Sequence, residues 1–295
     1  MNAPAFAVRP RSAIRTGEVR LSDGLNLCYA ESGNPDGLPL VLLHGFTDSW
    51  RSFEPLLASL PCRFRAIALS QRGHGDSGKP EGRYDTARFA ADLAEVMDRL
   101  GIDRAAIVGH SMGSLVAQRF AFTYPQRTLA LVLVSAFATL RGSEPGEALW
   151  RDAVASLADP VDPALARDFQ LSCIAMPVPS AFFEMVVGES LKLPARVWRL
   201  TLRALLDEDF SDQVSRIAAP TLVLWGDRDA FSTRAEQARL ATTIPDASLV
   251  EYPGVGHAPH WEQPQRTAAD IAAFVDGVAA TSTPAFPSRQ DRDCA

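Results

Sequence analysis

Cysteine is scarce in this chain. Cys28, Cys62, Cys173 and Cys294 are scattered and form no C-x-x-C pair, which excludes zinc-ribbon and dithiol redox motifs. A chain of 295 residues buries enough core to fold without cross-links, so reduced thiols are expected. An excess of positive charge is also missing. The net charge is −6, which gives no reason to expect nucleic acid or an anionic membrane as a partner. Long apolar runs are absent. The longest, Leu129 to Leu140, is too short and too interrupted to span a bilayer. Met1 to Gly17 carries basic residues without the apolar stretch of a secretory signal, so the cytoplasm is the expected compartment. No internal repeat is visible, which sets aside solenoids and propellers.

What the chain does have is an alternation of short apolar runs and amphipathic segments. Glu18 to Leu21 and Leu25 to Ala30 flank a Ser-Asp-Gly turn and predict a hairpin. Pro39 to Leu43, Phe64 to Leu69, Ala105 to Gly109, Thr128 to Val134 and Pro220 to Trp225 are nearly continuous apolar runs, the pattern of strands buried on both faces. Ser248 to Tyr252 completes a set of eight. Between them lie helical patterns, the strongest being Asp85 to Leu100, with Phe89, Leu93, Val96, Met97 and Leu100 on one face and Gly101 as its stop. The grammar is that of an α/β fold with a mostly parallel eight-stranded sheet covered by helices on both sides.

From Ala138 to Asp212 the grammar changes. No strand pattern appears, and four helical segments are separated by prolines, with Asp162-Pro163 as an N-cap followed by proline at the first helical position. Residues 18–137 and 213–280 are therefore expected to form the core, 138–212 a helical insertion, 1–17 a mobile arm and 281–295 a disordered tail.

The chemistry gathers at the ends of the strand patterns. Gly109-His110-Ser111-Met112-Gly113 places a serine between a strand and a helix in the G-x-S-x-G arrangement, a turn tight enough to hold the hydroxyl above the sheet. A serine hydroxyl is a weak nucleophile and needs a base held by a third group. Asp229 and His257 each follow a later strand pattern, at the sheet edge where ligand-binding loops collect. Asp227 competes with Asp229 for the acid role. Other patterns do not hold up. Gly73 to Gly78 matches the dinucleotide fingerprint, but Lys79-Pro80-Glu81-Gly82 opens no helix to receive a pyrophosphate. Pro80 also stands where a phosphate loop needs Ser or Thr. His257-x-x-His260 with Glu262 nearby lacks a third ligand of convincing spacing. No cofactor and no metal are expected. His44 and His110 are expected to be hydrogen-bonded structural residues.

Taken together, His44-Gly45-Phe46, Gln71-Arg72-Gly73-His74-Gly75-Asp76-Ser77, Gly109 to Gly113, Gly226-Asp227-Arg228-Asp229 and Gly256-His257 make the chain resemble the α/β-hydrolase fold superfamily over about Glu18 to Val278. The resemblance implies a triad of Ser111, Asp229 and His257, with Asp229 preferred over Asp227. It implies an oxyanion hole from the backbone N–H groups of Phe46 and Met112, and a helical cap at 138–212 above the site. Ser70 stands where relatives usually carry aspartate.

The resemblance implies a serine hydrolase acting on a carboxylic ester or lactone through an acyl-enzyme. Serine at the nucleophile position argues against the dehalogenases and epoxide hydrolases of the same fold. Carbon–carbon bond hydrolases typically carry Asn, Gly and Trp where this chain has His110, Ser114 and Ala258, so they rank second. A perhydrolase and a triad-bearing ligand receptor are further alternatives. Aromatic residues of the insertion, with Trp50, Phe137, Trp198, Phe231 and Ala258, are expected to line an apolar pocket for a hydrophobic small molecule.

Overall fold

The structure, a computed structural model, describes residues 13–281. Eight strands form one sheet: β1 (Arg15–Arg20), β2 (Asn26–Gly33), β3 (Leu38–Leu43), β4 (Phe64–Leu69), β5 (Ala105–His110), β6 (Thr128–Val134), β7 (Thr221–Gly226) and β8 (Ala247–Tyr252). Their spatial order is β1-β2-β4-β3-β5-β6-β7-β8. β1, β2 and β4 pair antiparallel, and every pairing from β4 through β8 is parallel. The central strands are apolar without interruption because both of their faces are covered. Val41, Leu43, Ile107, Leu131 and Leu133 point into one core, and Leu40, Leu42, Val108, Val132 and Val134 into the other.

The helices are α1 (Glu54–Leu57), α2 (Thr86–Arg99), α3 (Met112–Thr123), α4 (Glu144–Leu149), α5 (Pro163–Ser172), α6 (Ser180–Leu191), α7 (Ala195–Asp207), α8 (Arg234–Thr243), α9 (Pro259–Glu262) and α10 (Pro264–Thr281). α2 starts where the Asp85 carboxylate accepts the backbone N–H of Arg88, 2.9 Å away. Helices α4 to α7 all lie between β6 and β7, where the helical insertion is expected. The two ends of that segment meet: Thr139 and Asp209 form an antiparallel bridge, and Phe210 N–H donates to the Ala138 carbonyl at 2.8 Å.

Two expectations need correction. Residues 15–17, assigned to a mobile arm, begin β1 and pair with Glu31, Ala30 and Tyr29. The first residues of this edge strand, Arg15 to Gly17, carry no apolar alternation to reveal it, and Arg15 is held by an ion pair to Glu31 at 3.2 Å. The rest of the arm before residue 13, and the tail beyond Thr281, lie outside the described residues. Cys28 and Cys173 are free thiols, but Cys62, half-buried in the loop before β4, is disulfide-bonded rather than reduced. Among the described residues no helix is long and apolar enough to cross a membrane, and no three His, Cys, Asp or Glu side chains gather as a metal site.

Candidate active site

Ser111 ends β5 and starts α3. Its backbone sits at φ 52° and ψ −117°, a region that a side-chain-bearing residue enters only when its surroundings force it. The flanking glycines are what permit the turn. A Cβ on Gly109 would meet the Gly113 carbonyl oxygen at 2.2 Å, and one on Gly113 would meet that of Leu43 at 2.1 Å. Strand and helix therefore approach backbone to backbone, and the Ser111 side chain is carried to the cavity above the C-terminal ends of the parallel strands.

His257 lines the same cavity, in the loop between β8 and α9. Its Nδ1 lies 2.9 Å from each carboxylate oxygen of Asp229, which follows β7. Asp229 is fixed from several directions. Oδ1 accepts the backbone N–H groups of Phe231 (2.8 Å) and Ser232 (3.1 Å), and Oδ2 accepts the Ser232 hydroxyl at 2.6 Å. Burial alone pushes this carboxyl up. The charge and hydrogen bond of His257, with the bonds from Ser232 and Phe231, outweigh that and hold it at about 2. Asp227, the competing acid, instead accepts the backbone N–H of Gly254 at 2.6 Å. Among the described residues no hydrogen bond joins the Ser111 hydroxyl to His257; the two share the cavity without that contact. Such bonds often close only around a substrate.

The backbone N–H of Phe46 and that of Met112 donate to no described protein group. Met112 is the first residue of α3, so its N–H has no partner within the helix and sits at the positive end of the helix dipole. Phe46 follows His44 and Gly45 in the loop after β3. Thr47, next in line, holds φ 65°. Both expected oxyanion donors thus border the cavity that Ser111 enters.

The remaining motif residues are braces. His44 Nε2 accepts the Gln71 backbone N–H at 3.0 Å. His110 Nε2 donates to the His257 carbonyl at 2.9 Å. Burial keeps both imidazoles neutral, His110 down to about 3 and His44 well below its usual range. Arg72 forms a bidentate pair with Asp92 of α2, both of them buried. Ser70 Oγ accepts the Trp50 backbone N–H at 3.1 Å and so secures the loop after Phe46.

Of the expected pocket residues, Phe137 and Phe231 stand on the cavity wall, their rings 5.9 and 4.8 Å from the His257 ring. Trp198, Trp50 and Ala258 do not. Trp198 is fully buried behind the wall, edge-on to Phe46 at 5.3 Å and to Phe169 at 5.9 Å. Trp50 packs instead against the core on the other face of the sheet. Ala258 packs with Cys173, Val186 and Trp261. The wall is completed by residues that composition did not single out: Leu149 of α4, Leu202 and Leu205 of α7, and Gln170 of α5, with Asp48 from the Phe46 loop. The signal for Asp48 was an acid two residues past the oxyanion position; Gln170 carried none.

Known proteins are similar to this chain over most of its length. The family profile described as "Alpha/beta hydrolase family" matches residues 40–270. A non-heme chloroperoxidase from Streptomyces lividans is 29% identical over 279 residues, covering 88% of this chain and 99% of that protein. A 2-(acetamidomethylene)succinate hydrolase from Mesorhizobium japonicum is 29% identical over 253 residues, covering 81% and 88%. Among solved structures, a thermophilic esterase from Thermogutta terrifontis superposes with a TM-score of 0.78 at 26% identity, covering 90% of this chain and 99% of that one. With its sheet order, its strained serine turn and a profile match across most of its length, the chain belongs to the alpha/beta hydrolase family.

Proposed function

We propose that this hydrolase cleaves a carboxylic ester or lactone through an acyl-enzyme on Ser111. The observation that carries the reading is the Asp229–His257 pair opening onto the same cavity as a serine held in a strained turn. In this reading His257 Nε2 takes the Ser111 proton as Oγ attacks the substrate carbonyl. Asp229 fixes the tautomer by accepting from Nδ1 and stabilises the imidazolium. The N–H groups of Phe46 and Met112 receive the oxyanion, a role worth about 3 kcal/mol of barrier per donor. Collapse of the tetrahedral intermediate breaks the bond to the alcohol, which leaves with the proton from His257. Water, activated by the same imidazole, then releases the acid and restores Ser111.

Helices α4 to α7 act as the cap, with Leu149 of α4, Phe169 of α5 and Leu202 and Leu205 of α7 forming much of the wall. That wall favours a hydrophobic substrate. The esterase similarity supports ester chemistry; the three relatives carry three different activities in their names, so the site itself must decide. Turnover of short p-nitrophenyl esters tests the reading. Ser111→Ala should lower kcat by roughly four orders of magnitude or more with the fold intact. Equal activity in the variant and the parent would overturn it.

A further inference from the structure

Away from Ser111 and His257, few polar side chains reach the cavity wall. Ser143 caps α4 by accepting the Gly146 N–H at 3.4 Å, the Cys173 thiol donates to the Phe169 carbonyl at 3.5 Å, and His110 donates to the His257 carbonyl. Asp48 and Gln170 remain, both buried, one from the Phe46 loop and one from α5.

The orientation of the Gln170 amide follows from its neighbours. Its Nε2 lies 2.9 Å from Asp48 Oδ1, 2.8 Å from Ser190 Oγ and 3.2 Å from Thr47 Oγ1. The Ser190 hydroxyl donates to the Val186 carbonyl at 3.3 Å, which leaves its oxygen to accept. The amide nitrogen therefore faces this cluster of acceptors. Its oxygen, Oε1, is left buried with no hydrogen-bond partner. A buried amide oxygen without a donor is costly, and a ligand that brings a donor recovers that cost.

We infer that Gln170 Oε1 is a recognition point for a hydrogen-bond donor on the substrate, a hydroxyl or an N–H on an otherwise hydrocarbon chain. Asp48 and Ser190 hold the amide nitrogen, which leaves the oxygen as the unpartnered end of a side chain that lines the cavity. This rests on the ester-hydrolase reading and narrows it. The preferred substrate is not a plain fatty ester but one bearing a single donor group placed to meet α5.

Two ester series test the inference: butyl butyrate with one hydroxyl at successive carbons of either chain, and the matching methoxy compounds. A methoxy group accepts hydrogen bonds but cannot donate. At least one hydroxylated ester should exceed the unsubstituted ester in kcat/KM by about tenfold, and its methoxy counterpart should not. In Gln170→Met, which keeps the length of the side chain, that advantage should fall to within about twofold. No favoured hydroxyl position, an equal gain from methoxy, or an advantage that survives Gln170→Met would each overturn the assignment. If the variant does not fold, the parent's discrimination between hydroxyl and methoxy decides the question. If the parent hydrolyses none of the esters, the ester reading fails. Saturation-transfer NMR of the same compounds on Ser111→Ala then judges the subsite alone, with stronger transfer to hydroxyl than to methoxy supporting it and equal transfer sinking it.

Discussion

His257 Nδ1 stands 2.9 Å from both oxygens of Asp229, while Asp227, two residues earlier, spends its carboxylate on the backbone of Gly254. Proximity in sequence therefore does not make the two acids interchangeable. Asp229→Asn keeps the shape but presents an amide to the imidazole, which favours the wrong tautomer. A loss of about 10⁴ in kcat is expected, by comparison with serine-protease triads. Asp227→Asn should retain activity within a few-fold. Steady-state kinetics of the two variants check this, and a reversed order of damage would exchange their roles.

The strain at Ser111 yields a stability test separate from activity. A non-glycine residue at φ 52° and ψ −117° costs on the order of 1–3 kcal/mol. Ser111→Ala leaves a Cβ in that conformation, whereas Ser111→Gly removes it. Glycine gives back part of the gain as unfolded-chain entropy, about 0.4–1 kcal/mol. Ser111→Gly should thus be the more stable of the two by about 1 kcal/mol in urea unfolding. If the alanine variant is the more stable, the turn is not strained as the backbone angles imply.

Much of this was legible in the sequence, and the reason is geometric. Strands such as β5 and β6, buried on both faces, must be apolar throughout, so they announce themselves. The glycines at 109 and 113 and the residues around Asp229 and His257 sit at strand ends, where spacing along the chain maps directly onto position at the sheet edge. The pocket wall was far less legible. Trp198 and Phe169 share an aromatic composition, yet one lies behind the wall and the other on it, because that depends on how α5 and α7 rotate against the core. The Asp48–Gln170 contact joins residues 122 positions apart, and nothing in either local sequence announces it.

Four buried histidines tie stability to acid. Burial holds His74 at about 4, His110 at about 3, and His44 and His260 well below their usual range. Unfolded, each takes a proton near pH 6.5. Between those values the unfolded chain binds more protons than the folded one, so stability falls as pH drops from about 6.5 toward 4. Each histidine contributes up to about 1.4 kcal/mol per pH unit. Urea midpoints measured across this range should decline steeply, and His74→Gln should flatten the slope. Midpoints that stay level from pH 6.5 to about 4.5 would contradict neutral buried imidazoles.

Asp48 works against that trend. Burial raises its carboxyl to about 7, a rise that the hydrogen bond from Gln170 opposes without cancelling. Between its unfolded value near 4 and about 7, the folded state holds the extra proton, so this residue's contribution to stability is lost as pH rises through the window. Asp48→Asn keeps the size and an oxygen for Gln170 but has no charge to bury. Relative to the parent, the variant should be nearly neutral in stability at pH 4 and progressively more stable toward pH 8, levelling off above about 7. The acid-side decline set by the histidines should also become steeper once the opposing carboxyl is gone. Paired urea titrations at pH 4, 6 and 8 read both effects. A stability difference that does not change with pH would mean that Asp48 is already ionised in the fold near pH 4, and that the wall beside Gln170 carries a fixed negative charge.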